Sequence, residues 1–143
     1  MKLINSMKKL GVGILLASLL VTGLEAKEKY TKEDRVKDML TMAEGLDDIQ
    51  MGLLYRCKDG SCVKTGIERI KKVLHTIDKV DPEFFLDKDQ VYANKFAKKT
   101  RSMIEMYLTE IEDAVKKDDK EEILHNYSLT MRQCMSCHIR LRK

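Results

Sequence analysis

Two thiols and an imidazole stand together near the C-terminus, in Cys134-Met135-Ser136-Cys137-His138. Thiols three positions apart can each add to one of the two vinyl groups on a porphyrin edge, and the adjacent imidazole is then directed at the iron. The motif reads as covalent attachment of one haem c through Cys134 and Cys137, with His138 as the proximal iron ligand. Two other chemistries use the same residues. A zinc ion would take them as a half-site, with Cys57-x4-Cys62 supplying the remaining ligands. A thioredoxin-like redox pair expects a strand-to-helix setting that this chain lacks. Unmodified thiols or a simple disulfide are the plainest alternative.

Cys57 and Cys62 bracket Lys58-Asp59-Gly60-Ser61, a turn able to bring two sulfurs together. In an oxidising compartment a bridge is favoured, and closing so small a ring contributes roughly 2 kcal/mol on the chain-entropy account. Free thiols are the alternative.

The elements that position these residues are expected to be helices. There is one proline, no tryptophan and little alternation of β-branched residues, against an abundance of Lys, Glu, Leu, Met and Ala. The first helix is predicted over 32–56 with Thr31 as N-cap, its stripe made of Val36, Met39, Ala43, Leu46, Ile49 and Leu53. Asp59-Gly60 marks a turn. The second, over 63–80, gathers Ile67, Ile70, Leu74 and Ile77 and stops ahead of Asp81-Pro82. The third, over 88–117, carries Ala93, Phe96, Thr100, Met103, Ile104, Tyr107, Ile111 and Ala114 on one face. The fourth runs from about 120 to the C-terminus. Four amphipathic helices with short connections imply an all-α, antiparallel four-helix bundle with the haem on its last helix. Taking Ile123 as zero, His138 projects at about 60° and Cys134 at about 20°, near Tyr127 and Met131, so the ligand is predicted to face the interior.

At the other end of the chain, Lys2, Lys8 and Lys9 precede an apolar stretch from Leu10 to Val21 and the small-residue site Leu24-Glu25-Ala26. This is the order of a cleaved secretory signal over residues 1–26, leaving a single domain over 27–143. The stretch falls short of the roughly 18–20 apolar residues of a stable bilayer span. Export favours haem over zinc, because bacterial haem attachment of this kind takes place outside the cytoplasm. Cleavage removes three of 27 basic and one of 23 acidic side chains, leaving 24 and 22. Near neutrality with both signs interspersed gives no reason to expect a nucleic-acid partner. No acid-base pair, nucleophile or nucleotide loop suggests an enzyme.

On the CxxCH near the end of a four-helix order, the chain resembles the class II c-type cytochromes, the cytochrome c′ family. In that family a basic residue follows the haem histidine by four positions, and Arg142 matches; the aromatic residue usual before it is Leu141 here. The family's Arg-x-x-x pattern on the first helix is met by Arg35-Val36-Lys37-Asp38-Met39. The resemblance implies Met39 as the distal, sixth ligand, with Met42 in reserve, and Arg35 and Arg142 in the haem environment, Arg35 beside a propionate. A methionine on an apolar stripe is otherwise packing, the reading given to Met103 and Met131. His75 and His125 lie about 155° and 140° from their stripe centres and are expected to be exposed. With Met39 bound, the protein is a one-electron carrier serving periplasmic or membrane-bound redox proteins. With Met39 only lining the pocket, it is a five-coordinate binder of nitric oxide or carbon monoxide. Pairing of two bundles is also implied by the family.

Overall fold

A computed structural model describes residues 30–54, 57, 59–80 and 92–141. The expected signal at 1–26, Pro82, the expected helix start at Lys88, and Arg142 lie outside them. Among the described residues there are four α-helices and no strands: α1 (Lys32–Leu54), α2 (Ser61–Asp78), α3 (Ala93–Lys116) and α4 (Lys120–Leu141). Together they form a four-helix bundle.

Local chemistry accounts for the helix starts. Thr31 is the predicted N-cap of α1: its Oγ1 accepts the Asp34 N–H at 3.1 Å, while its own N–H and hydroxyl donate to Asp34 Oδ2 at 2.8 Å. This reciprocal pair satisfies donors that a helix N-terminus leaves over. Ahead of α2, Gly60 takes φ 73°, a conformation that suits a residue without Cβ. Asp119 receives the Glu122 N–H at 3.0 Å and opens α4.

Packing is uneven. α1 lies along α2 and α3 along α4, α2 meets α3 less, and α1 and α4 barely meet. The α1/α2 contact is closest at two glycines: a Cβ on Gly45 would stand 2.7 Å from the Gly66 carbonyl oxygen. Ile49, Ile67, Ile70, Leu74, Leu108 and Ile111 are fully buried and form the core. At one end of the bundle, Leu53, Cys57, Gly60, Val63, Val115, Asp118 and Ile123 line a cavity of about 480 Å³. The C-terminal ends of α1 and α3 and the N-terminal ends of α2 and α4 therefore gather there.

On α2 and α3 the expected Ile67, Ile70, Leu74, Ala93, Thr100, Ile104, Ile111 and Ala114 are buried, Ile77, Phe96, Met103 and Tyr107 are only partly so, and Val63, Gly66, Val73 and Leu108 join the buried row. Those of α1 and α4 are rotated. On α1 the buried row is Met42, Gly45 and Ile49, while Val36 and Ala43 are exposed. Met42, placed by sequence at the stripe's edge, is 8 % exposed and belongs to the core. The close approach of α2 turns Gly45 and its neighbours inward. On α4 the buried row is Ile123, Asn126 and Thr130. Two polar residues are accommodated there because Asn126 donates to Glu122 O and Oε1 and Thr130 donates to Asn126 O, which removes the cost of burying them unpaired.

Candidate cofactor site on the fourth helix

Cys134 and Cys137 lie one turn apart on α4 and are both half-buried, so their side chains are neighbours on one side of the helix. Cys134 packs against the core. Burial pushes its thiol up to about 11, and the nearby Cys137 adds to the effect. Burial also raises Cys137, opposed by the charge of Arg101 on α3. Thiols held protonated at neutral pH are poor nucleophiles and poor metal ligands until something removes their protons.

His138 is exposed, a correction to the expected inward orientation. The rotation of α4 is the reason. With the buried row centred on Ile123, Asn126 and Thr130, His138 projects about 80° away from it. It projects toward α1. Tyr127, about 20° from His138 on the same wheel, reaches α1 and donates its hydroxyl to Gln50 Oε1 at 3.1 Å. Burial and the Asp47 carboxylate raise the Tyr127 hydroxyl.

That hydrogen bond gives the height of residues along the loose α1/α4 seam. His138 follows Tyr127 by eleven residues, and Met39 precedes Gln50 by eleven. Eleven residues is close to three whole turns, ~16 Å of rise, so each returns to the side of its anchor. Moving C-terminally on α4 and N-terminally on α1 both lead away from the Cys57 cavity. On ideal helices with parallel axes, that rise brings Met39 and His138 level across the seam. Met39, Leu46, Tyr127 and Cys134 pack partly exposed against the core along it, and Val36, Leu40, Met135 and Ile139 stand exposed at its rim.

Arg101 is the residue that sequence reasoning missed. Its side chain is 16 % exposed and its Nη2 reaches Asp78 Oδ1 at 3.2 Å, while Nε is buried without a hydrogen-bond acceptor. Nothing in the sequence marks it among many exposed cations. Arg35 is half-buried on α1. His75 and His125 are exposed as expected.

Cys57 and Cys62 stand together at the opposite end, with Cα atoms 5.7 Å apart, inside the span a disulfide requires. Cys57 shares the end cavity with Ile123, and Cys134 lies eleven residues, ~16 Å, further along α4. The two cysteine pairs cannot share one zinc ion. Among the described residues no group of three or more His, Cys, Asp or Glu side chains could hold a metal, and no helix is long and apolar enough to cross a membrane.

The residues fit a haem. Two adjacent half-buried sulfurs, one seated on the core, stand on the helix that carries the exposed His138 imidazole, and the Met39 thioether packs partly buried on α1. Comparison with models of protein families, with curated proteins and with solved structures finds no match to the chain.

Proposed function

We propose that this chain is an exported monohaem c-type cytochrome of the class II type, an antiparallel four-helix bundle that carries single electrons in the periplasm. The observation that supports the reading is the Tyr127–Gln50 hydrogen bond across the α1/α4 seam, from which ideal helix rise brings Met39 and His138 to one level, with Cys134 packed on the core nearby. A haem bound there supplies a one-electron iron couple. Cys134 and Cys137 would hold the group through two thioethers, Cys134 from its seat on the core. His138 presents a ring nitrogen from α4. Met39 presents a soft, neutral thioether from α1, the ligand that favours the reduced state.

Leu46 and Tyr127 exclude water from the inner part of the slot. Arg101, whose charge acts on Cys137, would stand near the attachment cysteines rather than near a propionate. Arg35 on α1 is the side chain proposed to pair with a propionate. No mechanism requires Cys57 or Cys62 near the iron, and their bridge is proposed to be structural.

The test is an absorption spectrum and an intact mass of the protein secreted from cells that mature c-type cytochromes. A haem spectrum that survives acid-acetone extraction and a mass exceeding the polypeptide by one haem are expected. A colourless product of polypeptide mass would end the proposal. A near-infrared methionine-to-iron band identifies the electron carrier, whereas a high-spin spectrum without it identifies the five-coordinate gas binder.

A further inference from the structure

Eight large apolar side chains are exposed among the described residues, and six of them belong to the two helices that barely meet: Val36, Leu40 and Leu54 on α1, Leu124, Met135 and Ile139 on α4. Each is more than half exposed. They share one outward direction. On α1, Gly45 faces α2 and Gln50 faces α4. At 100° per residue, Val36 and Leu54 project about 40° beyond Gln50 and Leu40 about 80° beyond it, on the side away from the buried Met42 and Ile49. On α4, Leu124, Met135 and Ile139 project about 60°, 80° and 120° beyond Tyr127, on the side away from the buried Ile123 and Asn126. The six therefore form one strip along the outside of the α1/α4 seam.

The strip is matched in height across the seam. Levelled at the Tyr127–Gln50 hydrogen bond, ideal helices running in opposite directions bring Leu124 beside Leu54, Met135 beside Ala43, and Ile139 between Val36 and Leu40, each within about two residues or ~3 Å of rise. Between those ends, the charged side chains within about 50° of the strip are Asp47 on α1 and Arg132 on α4. Both are exposed, and neither forms an ion pair with a described residue. Their heights differ by only ~3 Å.

We infer that this strip pairs with the same strip of a second copy of the chain, about a two-fold axis parallel to the helices that lays each α1 over the other copy's α4. Rotation about such an axis preserves height, so apolar side chains meet apolar ones at both ends and Asp47 of each copy meets Arg132 of the other. From Val36 to Leu54 the strip is ~27 Å long, and two neighbouring helices are ~20 Å across. That is ~500 Å² per copy and ~1,000 Å² in the pair, the size at which specific interfaces begin. An apolar surface poor in charge is the make-up of a homodimer contact. A lipid surface would leave Asp47 unpaired near the middle of the strip, and a partner of unrelated sequence gives no reason for Asp47 and Arg132 to stand level. Leu54 lies ~22 Å along α1 from Met39, so a haem held between Met39 and His138 would leave that end uncovered. The pairing does not rest on the cytochrome reading.

The test is sedimentation of the purified secreted protein over a wide range of concentration, which reads mass without reference to colour. A concentration-dependent dimer is expected. Joint Leu54→Glu and Leu124→Glu replacement, at the end remote from Met39, is expected to raise its dissociation constant about tenfold or more. Met106→Glu, at an exposed site of α3 off the strip, is expected to change it less than about twofold. Asp47→Arg and Arg132→Asp are each expected to weaken pairing about tenfold by setting like charges opposite one another, and the two together to restore it. A chain that is monomeric at every concentration, a dimer that survives the Leu54 and Leu124 replacements, equal loss from Met106→Glu, no recovery in the double charge swap, or uptake onto phosphatidylglycerol vesicles in place of pairing would each overturn the inference. A colourless protein that pairs in this way loses the cytochrome reading alone, and a haem-loaded protein that stays single loses the pairing alone.

Discussion

Met39 and His138 are separated by 99 positions in the chain, and a single tyrosine hydroxyl relates them in space. The Tyr127–Gln50 hydrogen bond sets the register from which both residues rise together, which makes Met39 a sharper candidate than Met42, already committed to the core. Met39→Ala is expected to convert low-spin to high-spin iron in the matured protein and to abolish the near-infrared methionine band. An unchanged spectrum would remove Met39 from the coordination sphere. The same scale yields a pH dependence. In the haem-free chain the Cys134 thiol is pushed up to about 11, above the ~8.5 of a thiol in an unfolded chain. Its contribution to stability is complete below that lower value and is lost as pH rises through the folded one, because the unfolded chain ionises first. Denaturant midpoints of the haem-free chain should therefore fall as pH rises above about 8.5. A thioether does not ionise, so the matured protein should lack that fall. Tyr30, raised by burial and by its 2.7 Å bond to Asp38, and Tyr127 act similarly in both forms, but only nearer the ordinary tyrosine range. The decisive comparison lies below about pH 10.

Among the helices, α1 and α2 form the tightest pair because Gly45 and Gly66 have no side chains to keep them apart. A Cβ on Gly66 would meet the Gly45 carbonyl oxygen, with Ile49 Cγ1 at 2.8 Å and Asp48 Cβ at 3.0 Å. Backbone cannot yield as a flexible side chain does. Gly66→Ala gains about 1 kcal/mol of helix propensity but requires the helices to separate, a strain of ~1–3 kcal/mol. The net expectation is a lower denaturant midpoint for this variant, and a midpoint at or above the parent's would show that the contact is not tight. The ion pairs of Arg69 with Glu44 and Asp48 cross the same helix pair, but they are largely exposed and add little. Helix identity was legible in sequence, and so were the inner faces of α2 and α3, where Ile67, Ile70, Leu74, Ile104 and Ile111 segregate from charge. The inner faces of α1 and α4 were not. There Gly45, Asn126 and Thr130 turn inward, while Val36, Met135 and Ile139 remain outside, so an apolar count points the stripe toward the seam. Tyr127 and Cys134, expected on the inner face of α4, instead pack partly buried beside the proposed haem site.

Over the molecule as a whole, the cysteine pairs occupy opposite ends, a separation that spacing in sequence could not reveal and that sets aside a shared zinc site. The motif from Cys134 to His138 was legible because it occupies five consecutive residues, and haem attachment there is the proposal. The height of Met39 and the placement of Arg101 beside Cys137 required the register of the helices.

The uneven packing has a consequence for how the molecule comes together. Its most extensive contacts join helices that are consecutive in the chain, α1 with α2 and α3 with α4, so each partner is found after closing only a short loop. A chain that assembles pairwise in this way has its first pair complete while the tail is still free. The segment bearing Cys134, Cys137 and His138 is then the last to be enclosed, and its thiols remain reachable until the two pairs meet.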